Sequence, residues 1–343
     1  MLLRPSLCLS LSLWALSALM PAADAPLTEW LPADGKEKGK PAWSRELGSH
    51  RIVIEVPSDP ATSGKVRAVL NWRRRDSAPE KKAVLVRELE SGKPVPLAAV
   101  ARCDSETGEL VFEPVPGVSR YVVYFLPVKI TGGAFPVGQY TPPAETAPPE
   151  WRQAAGLADG SWRKWPMASV VAWEAISAHE AWNDMEITAT AAEAKGLAQT
   201  PFMARLETSE HPVRMFGNLP RRWVETPPPS ELPVRPSEYF VFQIAIHSPE
   251  TDLKSVQPEF TLLSGPDGQR LEADRFTCFN TGGVDWKGLP LAKTVDVPAG
   301  RVQPLWCGVQ VPADAGPGLY QGSVAVRTGG GESVTVPLAL RVG

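Results

Sequence analysis

The chain has 343 residues, 43% of them hydrophobic, and a formal net charge of −3. That length and apolar content suffice for about two folded domains, while the lack of a basic excess excludes nucleic acid as a partner. Proline, at 36 residues, stands at about twice its ordinary share, so helices are not expected to dominate.

The N-terminus reads as a signal peptide over residues 1–25. Arg4 precedes an apolar run from Leu7 to Met20, too short to span a bilayer, and small residues follow in Pro21-Ala22-Ala23-Asp24-Ala25. Ala23-Asp24-Ala25 fits the small-x-small rule, and because Pro26 follows it, cleavage after Ala22 or Ala23 is an equal option. Cys8 precedes the apolar core, the wrong place for a lipoprotein cysteine. No later stretch is apolar for 18 residues, which predicts no membrane association after cleavage and a periplasmic, extracellular or cell-surface location. Residues 26–48, rich in Pro, Gly, Lys and Glu, read as an exposed lead-in.

Short β runs begin after His50: Arg51–Val56, Val66–Trp72, Lys82–Glu88, Val95–Cys103, Glu109–Glu113 and Arg120–Val128. Their separators are turn chemistry, as in Glu90-Ser91-Gly92-Lys93 and Pro116-Gly117, so residues 49–130 are predicted to form one β-sandwich. The second run ends in Asn71-Trp72-Arg73-Arg74-Arg75-Asp76. Guanidinium groups there can stack on the indole or pair with Asp76, which makes Trp72, Arg73, Arg74, Arg75 and Asp76 candidates for domain docking or glycan contact. The plain alternative is a solvated strand end held by a local salt bridge.

Residues 131–166 hold Gly132-Gly133, Pro142-Pro143, Pro148-Pro149 and the tryptophans Trp151, Trp162 and Trp165, with little periodicity. They read as a linker that lies against one of the domains, because three indoles are costly to leave in water. The one clear helix signal is the capping box Thr190-Ala191-Ala192-Glu193 opening Ala191–Ala198, with Pro201 as the stop.

The remainder, assigned to a second domain over 167–343, carries strand runs at Phe202–Glu207, Tyr239–His247, Pro258–Leu263, Leu291–Val297, Val302–Val311, Leu319–Arg327 and Val334–Val342. In the last run Val334, Val336, Leu338, Leu340 and Val342 share one face, the pattern of a sheet packed on one side. Pro337 in that run implies an edge or a bulge. Thr328-Gly329-Gly330-Gly331-Glu332 reads as a hairpin turn, since no helix follows it as a phosphate loop requires. The fold class is therefore mostly β: two antiparallel β-sandwich domains, the second immunoglobulin-like, joined by a Pro-rich linker, with one short helix.

One loop of the second domain, Asn280-Thr281-Gly282-Gly283-Val284-Asp285-Trp286, concentrates polar groups beside an aromatic. Its glycines permit close backbone approach, so Asn280, Asp285 and Trp286 are candidates for contact with a neighbouring domain or a sugar, against plain loop packing. Three cysteines remain outside the leader: Cys103, Cys278 and Cys307. A bond between the last two would close a loop of about 30 residues, worth roughly 3–4 kcal/mol on the loop-entropy model. Cys307 shares strand parity with Leu305, Val309 and Val311, which favours a buried free thiol.

Catalytic signatures are missing. No Gly-x-Ser-x-Gly elbow occurs, His179-Glu180 lacks the second histidine of a zinc helix, and the cysteine spacings match no zinc site. No cofactor and no metal is expected. Carboxylates such as Glu174, Glu180, Asp184 and Glu186 could meet across a cleft for glycoside chemistry, though such density ordinarily only solvates a surface.

Val69-Leu70-Asn71-Trp72-Arg73-Arg74-Arg75-Asp76, Leu110-Val111-Phe112-Glu113-Pro114, Tyr121–Pro127, Asp184–Thr190, Cys278–Trp286 and Leu305–Ala313 together resemble the N-terminal region of large exported bacterial proteins related to glycoside hydrolase family 123. The resemblance implies β-sandwich domains preceding a catalytic (β/α)8 barrel, in which an adjacent Asp-Glu pair assists the N-acetyl group of the substrate. The sequence contains no Asp-Glu or Glu-Asp dipeptide, nor the strand-helix alternation of a barrel, which takes about 250 residues. No catalytic residue is therefore carried over. The expected role is that of an accessory region supporting a barrel, in cis or from the same parent protein, with a glycan as a further partner. The alternative is a free-standing carbohydrate-binding protein that uses exposed tryptophans.

Overall fold

The computed structural model describes residues 31–33, 41–57, 64–215 and 217–343. The expected signal peptide and most of the lead-in lie outside the described residues.

The N-terminal half carries strands β1 (Leu31–Pro32), β2 (His50–Glu55), β3 (Val66–Leu70), β4 (Leu85–Glu88), β5 (Ala98–Cys103), β6 (Gly108–Phe112), β7 (Arg120–Tyr124), β8 (Val128–Thr131), β9 (Val137–Tyr140) and β10 (Met167–Ala175). Hydrogen bonding runs in the order β4-β7-β2-β10-β3-β6-β5, with β1 beside β10. Alternate residues of these strands, among them Ile52, Ile54, Leu110, Phe112, Tyr121 and Val123, fill one core with Trp72 and Trp173. Residues between these, on the opposite face, are also buried. Val53, Val122 and Tyr124 lie under Trp43 and Ile176, and Val111 lies under Ala155 and Trp162. Covering both faces explains why the strands read as apolar runs rather than clean alternations.

The sequence reading places residues 167–175 at the head of the second domain, but β10 is a central strand of the first sandwich. Ser169–Ala175 pairs antiparallel with β2, while Met167 and Ala168 pair parallel with β3. One strand thus belongs to both layers, with a register shift between Val170 and Ala172 of the kind that lets a strand turn a corner. The segment before it is an ordered cover. Helix α1 (Pro149–Ala154) and a 3-10 turn over Ser161–Lys164 set Trp151, Trp162 and Trp165 against the outer face at Val111. Two of the indoles have bonded polar ends: Trp151 Nε1 donates to Glu113 Oε2 at 2.9 Å and Trp165 Nε1 to the Ala155 carbonyl at 3.1 Å.

The C-terminal half contains α2 (Ala191–Gly196), β11 (Met203–Thr208), α3 (Arg222–Glu225), β12 (Leu232–Val234), β13 (Tyr239–His247), β14 (Gln257–Phe260), β15 (Leu263–Ser264), β16 (Arg270–Leu271), β17 (Phe276–Cys278), β18 (Val302–Gln310), β19 (Gly318–Arg327) and β20 (Ser333–Val342). One sheet runs β11-β13-β18-β17, the other β12-β20-β19-β15-β16 with β14 on β19. Phe242, Ile244, Ile246, Leu305 and Val309 of the first face Val324, Val326, Leu338 and Leu340 of the second in one core. The fold is thus mostly β, as the sequence indicates. Not every pair is antiparallel, because β1 on β10, β10 on β3 and β12 on β20 run parallel.

Three short α-helices occur where the sequence signals one. Helix α2 has the expected capping box, with Glu193 N donating to Thr190 Oγ1 and Thr190 N to Glu193 Oε2; α1 and α3 are too short to carry a helical period. Residues 291–297 do not form the expected strand. Leu291 to Thr294 are exposed, and alternation starts only at Val295, leaving Val297 in an isolated bridge with Leu253. Pro337 pairs with Ser323 of β19 while β12 reaches only Leu340–Val342, so the proline sits where β20 is itself an edge. No helix of the described residues is long and apolar enough to cross a membrane.

Candidate functional site

The arginine run follows β3 and alternates between two destinations. Trp72 turns into the first sandwich, its Nε1 donating to the Asp104 carbonyl at 2.8 Å. Its ring lies flush against Gly108, where a Cβ would stand 2.3 Å from a ring carbon, so only glycine fits there. Arg74 is also buried, with 0% exposure. Its guanidinium lies 4.8 Å from the Trp72 ring centroid and 5.2 Å from that of Phe125, and its Nε and Nη2 grip Asp76 at 2.7 and 2.8 Å. Lys82 Nζ adds a third bond to Asp76 at 2.6 Å. Burial by itself would raise the Asp76 carboxyl, but hydrogen bonds and charge from Arg74 and then Lys82 hold it below its ordinary value.

Arg73 and Arg75 point the other way. Arg73 takes a left-handed conformation at φ 45°, which costs a non-glycine residue on the order of 1 kcal/mol. It grips Glu193 at 2.5 and 3.2 Å, while its carbonyl accepts from Thr188 N at 3.2 Å. Arg75 pairs with Glu186 at 2.5 Å, and Glu106 Oε1 accepts from Ala191 N at 2.6 Å. The docking partner of this arginine face is therefore the chain's own segment over residues 186–193, which leads into the second sandwich.

Glu193 does two jobs, closing the capping box of α2 and neutralising the almost fully buried Arg73. Glu193→Ala is expected to cost about 2–3 kcal/mol, since it removes a cap and strips a buried guanidinium of this carboxylate. Glu193→Gln keeps the cap and should recover about 1 kcal/mol of that. Thermal unfolding with limited proteolysis of residues 177–200 checks both; unchanged protection in Glu193→Ala contradicts the clamp.

The loop after β17 is built differently. Asn280 Oδ1 accepts from Trp306 N at 2.6 Å, extending the edge of the sheet by one side chain. Asp285 Oδ1 accepts from Lys287 N at 2.8 Å and Leu289 N at 2.9 Å, so this carboxylate ties the tip into a turn. The result is an ordered apolar projection. Trp286 is 89% exposed at its end, flanked by exposed Phe279, Val284, Leu289 and Leu291, with Lys287 Nζ 4.8 Å from the indole centroid. Among the described tryptophans it alone is exposed; the rest are buried or half-buried, which leaves the glycan reading a single fully exposed stacking platform.

The scattered carboxylates are paired rather than convergent. Glu174 binds Arg51 at 2.5 Å, Glu180 binds Arg45 at 3.1 Å, Asp184 binds Arg222 at 2.7 Å and Glu186 binds Arg75. Among the described residues no three His, Cys, Asp or Glu side chains are grouped to hold a metal ion.

Two features had no sequence signal. A hairpin of β8 and β9 projects with exposed Ile130, Phe135, Val137 and Tyr140; its glycines and prolines make it read as linker. A cavity of about 420 Å³ opens between β4 and β5, lined by Val86, Val95, Ala98 and Leu110 and roofed by Thr141 and Pro142. It arises from two strands distant in the sheet order, a juxtaposition with no local trace.

Residues 41–176 match the family model described as Glycoside hydrolase 123, N-terminal domain, and residues 277–328 match a second, Glycoside hydrolase 123 N-terminal domain. No curated protein matches the chain. Among solved structures, the chain is similar to a family 123 glycoside hydrolase from Clostridium perfringens, determined to describe glycolipid glycan hydrolysis. The identity is 12% and the TM-score 0.31, over 41% of this chain and 27% of that one. It is also similar to murine CRIg, at 12% identity and a TM-score of 0.19, over 34% of this chain and 93% of that one. The chain thus spans about a quarter of the length of the bacterial enzyme.

Proposed function

Because this chain carries the N-terminal domains of glycoside hydrolase 123 relatives, we propose that it is the accessory, non-catalytic region of an exported hydrolase of that kind. Its partner is a catalytic barrel, in cis or from the same parent protein, seated on the loop after β17. The observation that carries this reading is the projection of Trp286 and its apolar neighbours. Large exposed aromatics grouped on an ordered loop are the anchors of interfaces. The arginine face, by contrast, is already filled by residues 186–193.

A purified catalytic domain of the parent hydrolase should bind the chain in surface plasmon resonance. Trp286→Ala should weaken that binding at least about 30-fold, the loss of a hot-spot residue worth roughly 2 kcal/mol. Equal affinities of the two forms sink the docking surface. The second reading, carbohydrate binding, is favoured by the same indole beside Asp285. Calorimetry against N-acetylated and neutral glycans separates the two: a Trp286-dependent isotherm supports the binder, and absence of heat supports the scaffold. Release of nitrophenol from aryl N-acetylhexosaminides by the purified chain would instead make it a hydrolase. Export is read from the N-terminal pattern, and N-terminal sequencing of secreted protein, beginning between Ala23 and Pro26, tests it.

A further inference from the structure

Cys278 and Cys307 occupy directly opposed positions on the antiparallel strands β17 and β18. The next pair along, Phe279 and Trp306, is joined by a backbone hydrogen bond from Phe279 N to the Trp306 carbonyl at 2.9 Å. Hydrogen-bonded and non-hydrogen-bonded pairs alternate in such a ladder, so the cysteines fall on a non-hydrogen-bonded site. Opposed Cα atoms there lie about 4.5 Å apart, inside the roughly 4.4–6.8 Å span that a disulfide bridges. Both side chains point into the core of the second sandwich, where Cys307 Sγ donates to the Leu305 carbonyl at 3.6 Å.

The environments of the two thiols differ. Cys278 lies on β17, the edge strand of its sheet, whereas Cys307 is enclosed between β13 and β17. The Cys307 thiol, followed by groups of Asn280 and Thr281, stabilises a thiolate on Cys278 strongly enough to outweigh burial and bring it down to about 6. The interaction with Cys278 and then burial hold Cys307 protonated, well above the ordinary thiol range. Cys278, on the three-residue edge strand, is the thiol that local opening of β17 uncovers first, while Cys307 stays enclosed.

We propose that Cys278 and Cys307 form a redox-modifiable pair, closed into a cross-strand disulfide by exchange with a low-molecular-weight disulfide of the glutathione class. The Cys278 thiolate attacks one sulfur of the reagent, forming a mixed disulfide and releasing one reagent thiolate. Cys307 then loses its proton and attacks the Cys278 sulfur, forming the protein disulfide and releasing the second thiolate. The pair gives up two electrons and the reagent is reduced to two thiols. The bond staples the three-residue strand β17 to β18 at the root of the Trp286 loop. The site does not depend on what that loop binds.

The test takes the fully reduced full chain, exposes it to excess oxidised glutathione, blocks remaining thiols in denaturant and maps tryptic peptides. The expected product joins Phe276–Lys287 to Val302–Arg327, two hydrogens lighter than the reduced pair, with Cys103 blocked as a free thiol. In Cys307→Ala, Cys278 should accumulate as a stable glutathione adduct; in Cys278→Ala, Cys307 should remain unmodified. Exchange of the Phe279 and Thr281 amides with deuterium should slow about tenfold on oxidation. A wild-type chain that yields only blocked Cys278 and Cys307, or a persistent adduct despite Cys307, overturns the pairing. A linked peptide with unchanged amide exchange overturns the staple.

Discussion

Arg74→Met should destabilise the first sandwich by about 3–5 kcal/mol, because it removes one partner of a buried ion pair and leaves the other desolvated. Arg74 has no exposed surface, and its planar group does three things at once: it lies over the Trp72 ring, over the Phe125 ring, and forks onto Asp76. Methionine fills similar space without charge. Arg74→Lys should recover only part of the loss, since an ammonium can neither fork nor lie flat against an indole. Chemical denaturation is the measurement, and a change under about 1 kcal/mol in Arg74→Met would show that Lys82 alone suffices to hold Asp76.

The same pair sets an acid dependence. Asp76 titrates below its ordinary value in the folded chain, so its contribution is complete above the unfolded carboxyl value near 3.8 and is lost as pH falls through the lower folded one. Arg74→Met should shrink that acid-side loss. An identical stability profile between pH about 5 and 2 in both chains would place the acid sensitivity elsewhere.

Trp223→Ala should cost a similar amount in the second sandwich, about 3–5 kcal/mol. Trp223 packs with Met185, Leu219, Ala245 and Val302, which makes it a pin holding the covering segment onto the outer face of the sheet β11-β13-β18. Its Nε1 donates to Glu207 Oε2 at 3.1 Å, and Glu207 is 2% exposed. The alanine form therefore opens a cavity and removes a donor from a buried carboxylate. Trp223→Phe keeps most of the packing and should cost about 1–3 kcal/mol, the desolvation penalty of the lost hydrogen bond. Protease cutting within residues 209–226 at unchanged global stability would instead mean that the cover opens alone. Equal losses in both variants would mean that the hydrogen bond carries the whole effect.

Several elements were legible from local pattern. Strands β13, β18, β19 and β20 are nine or ten residues long, long enough for alternation to set both their existence and their buried face. The capping box of α2 needs only Thr190 and Glu193, three residues apart, and the turn after β19 needs only its glycines. Strands β12, β15, β16 and β17, at two or three residues each, are too short to hold a period. They exist because a longer neighbour offers them a ladder.

Membership and partnership were not legible. Residues 167–175 are no strand in the sequence reading, which only places them at the head of the second domain, and nothing in Met167–Ala175 states that its partners are β2 and β3. The arginine run was visible as an unusual cluster, yet its division into a half that grips Asp76 and a half that docks on Glu186 and Glu193 depends on carboxylates more than 100 residues away. Composition cannot separate the nine other described tryptophans from Trp286 either, since the difference lies in what the rest of the chain leaves uncovered.

The amino-acid order by itself thus determined a β-rich chain with one capped helix, a hairpin-closed final pair of strands and a resemblance to family 123 N-terminal regions. The strands, the capped helix and the final hairpin rest on residues within about ten positions of one another, where backbone geometry imposes the pattern, and the resemblance rests on short motifs spread from Val69 to Ala313. The tertiary structure decided which sandwich owns β10, which arginines are buried, which carboxylates are spent in ion pairs and which indole stays in water. Those outcomes follow from contacts between distant segments, where burial raises the cost of an unpaired charge and only the folded chain can supply its partner.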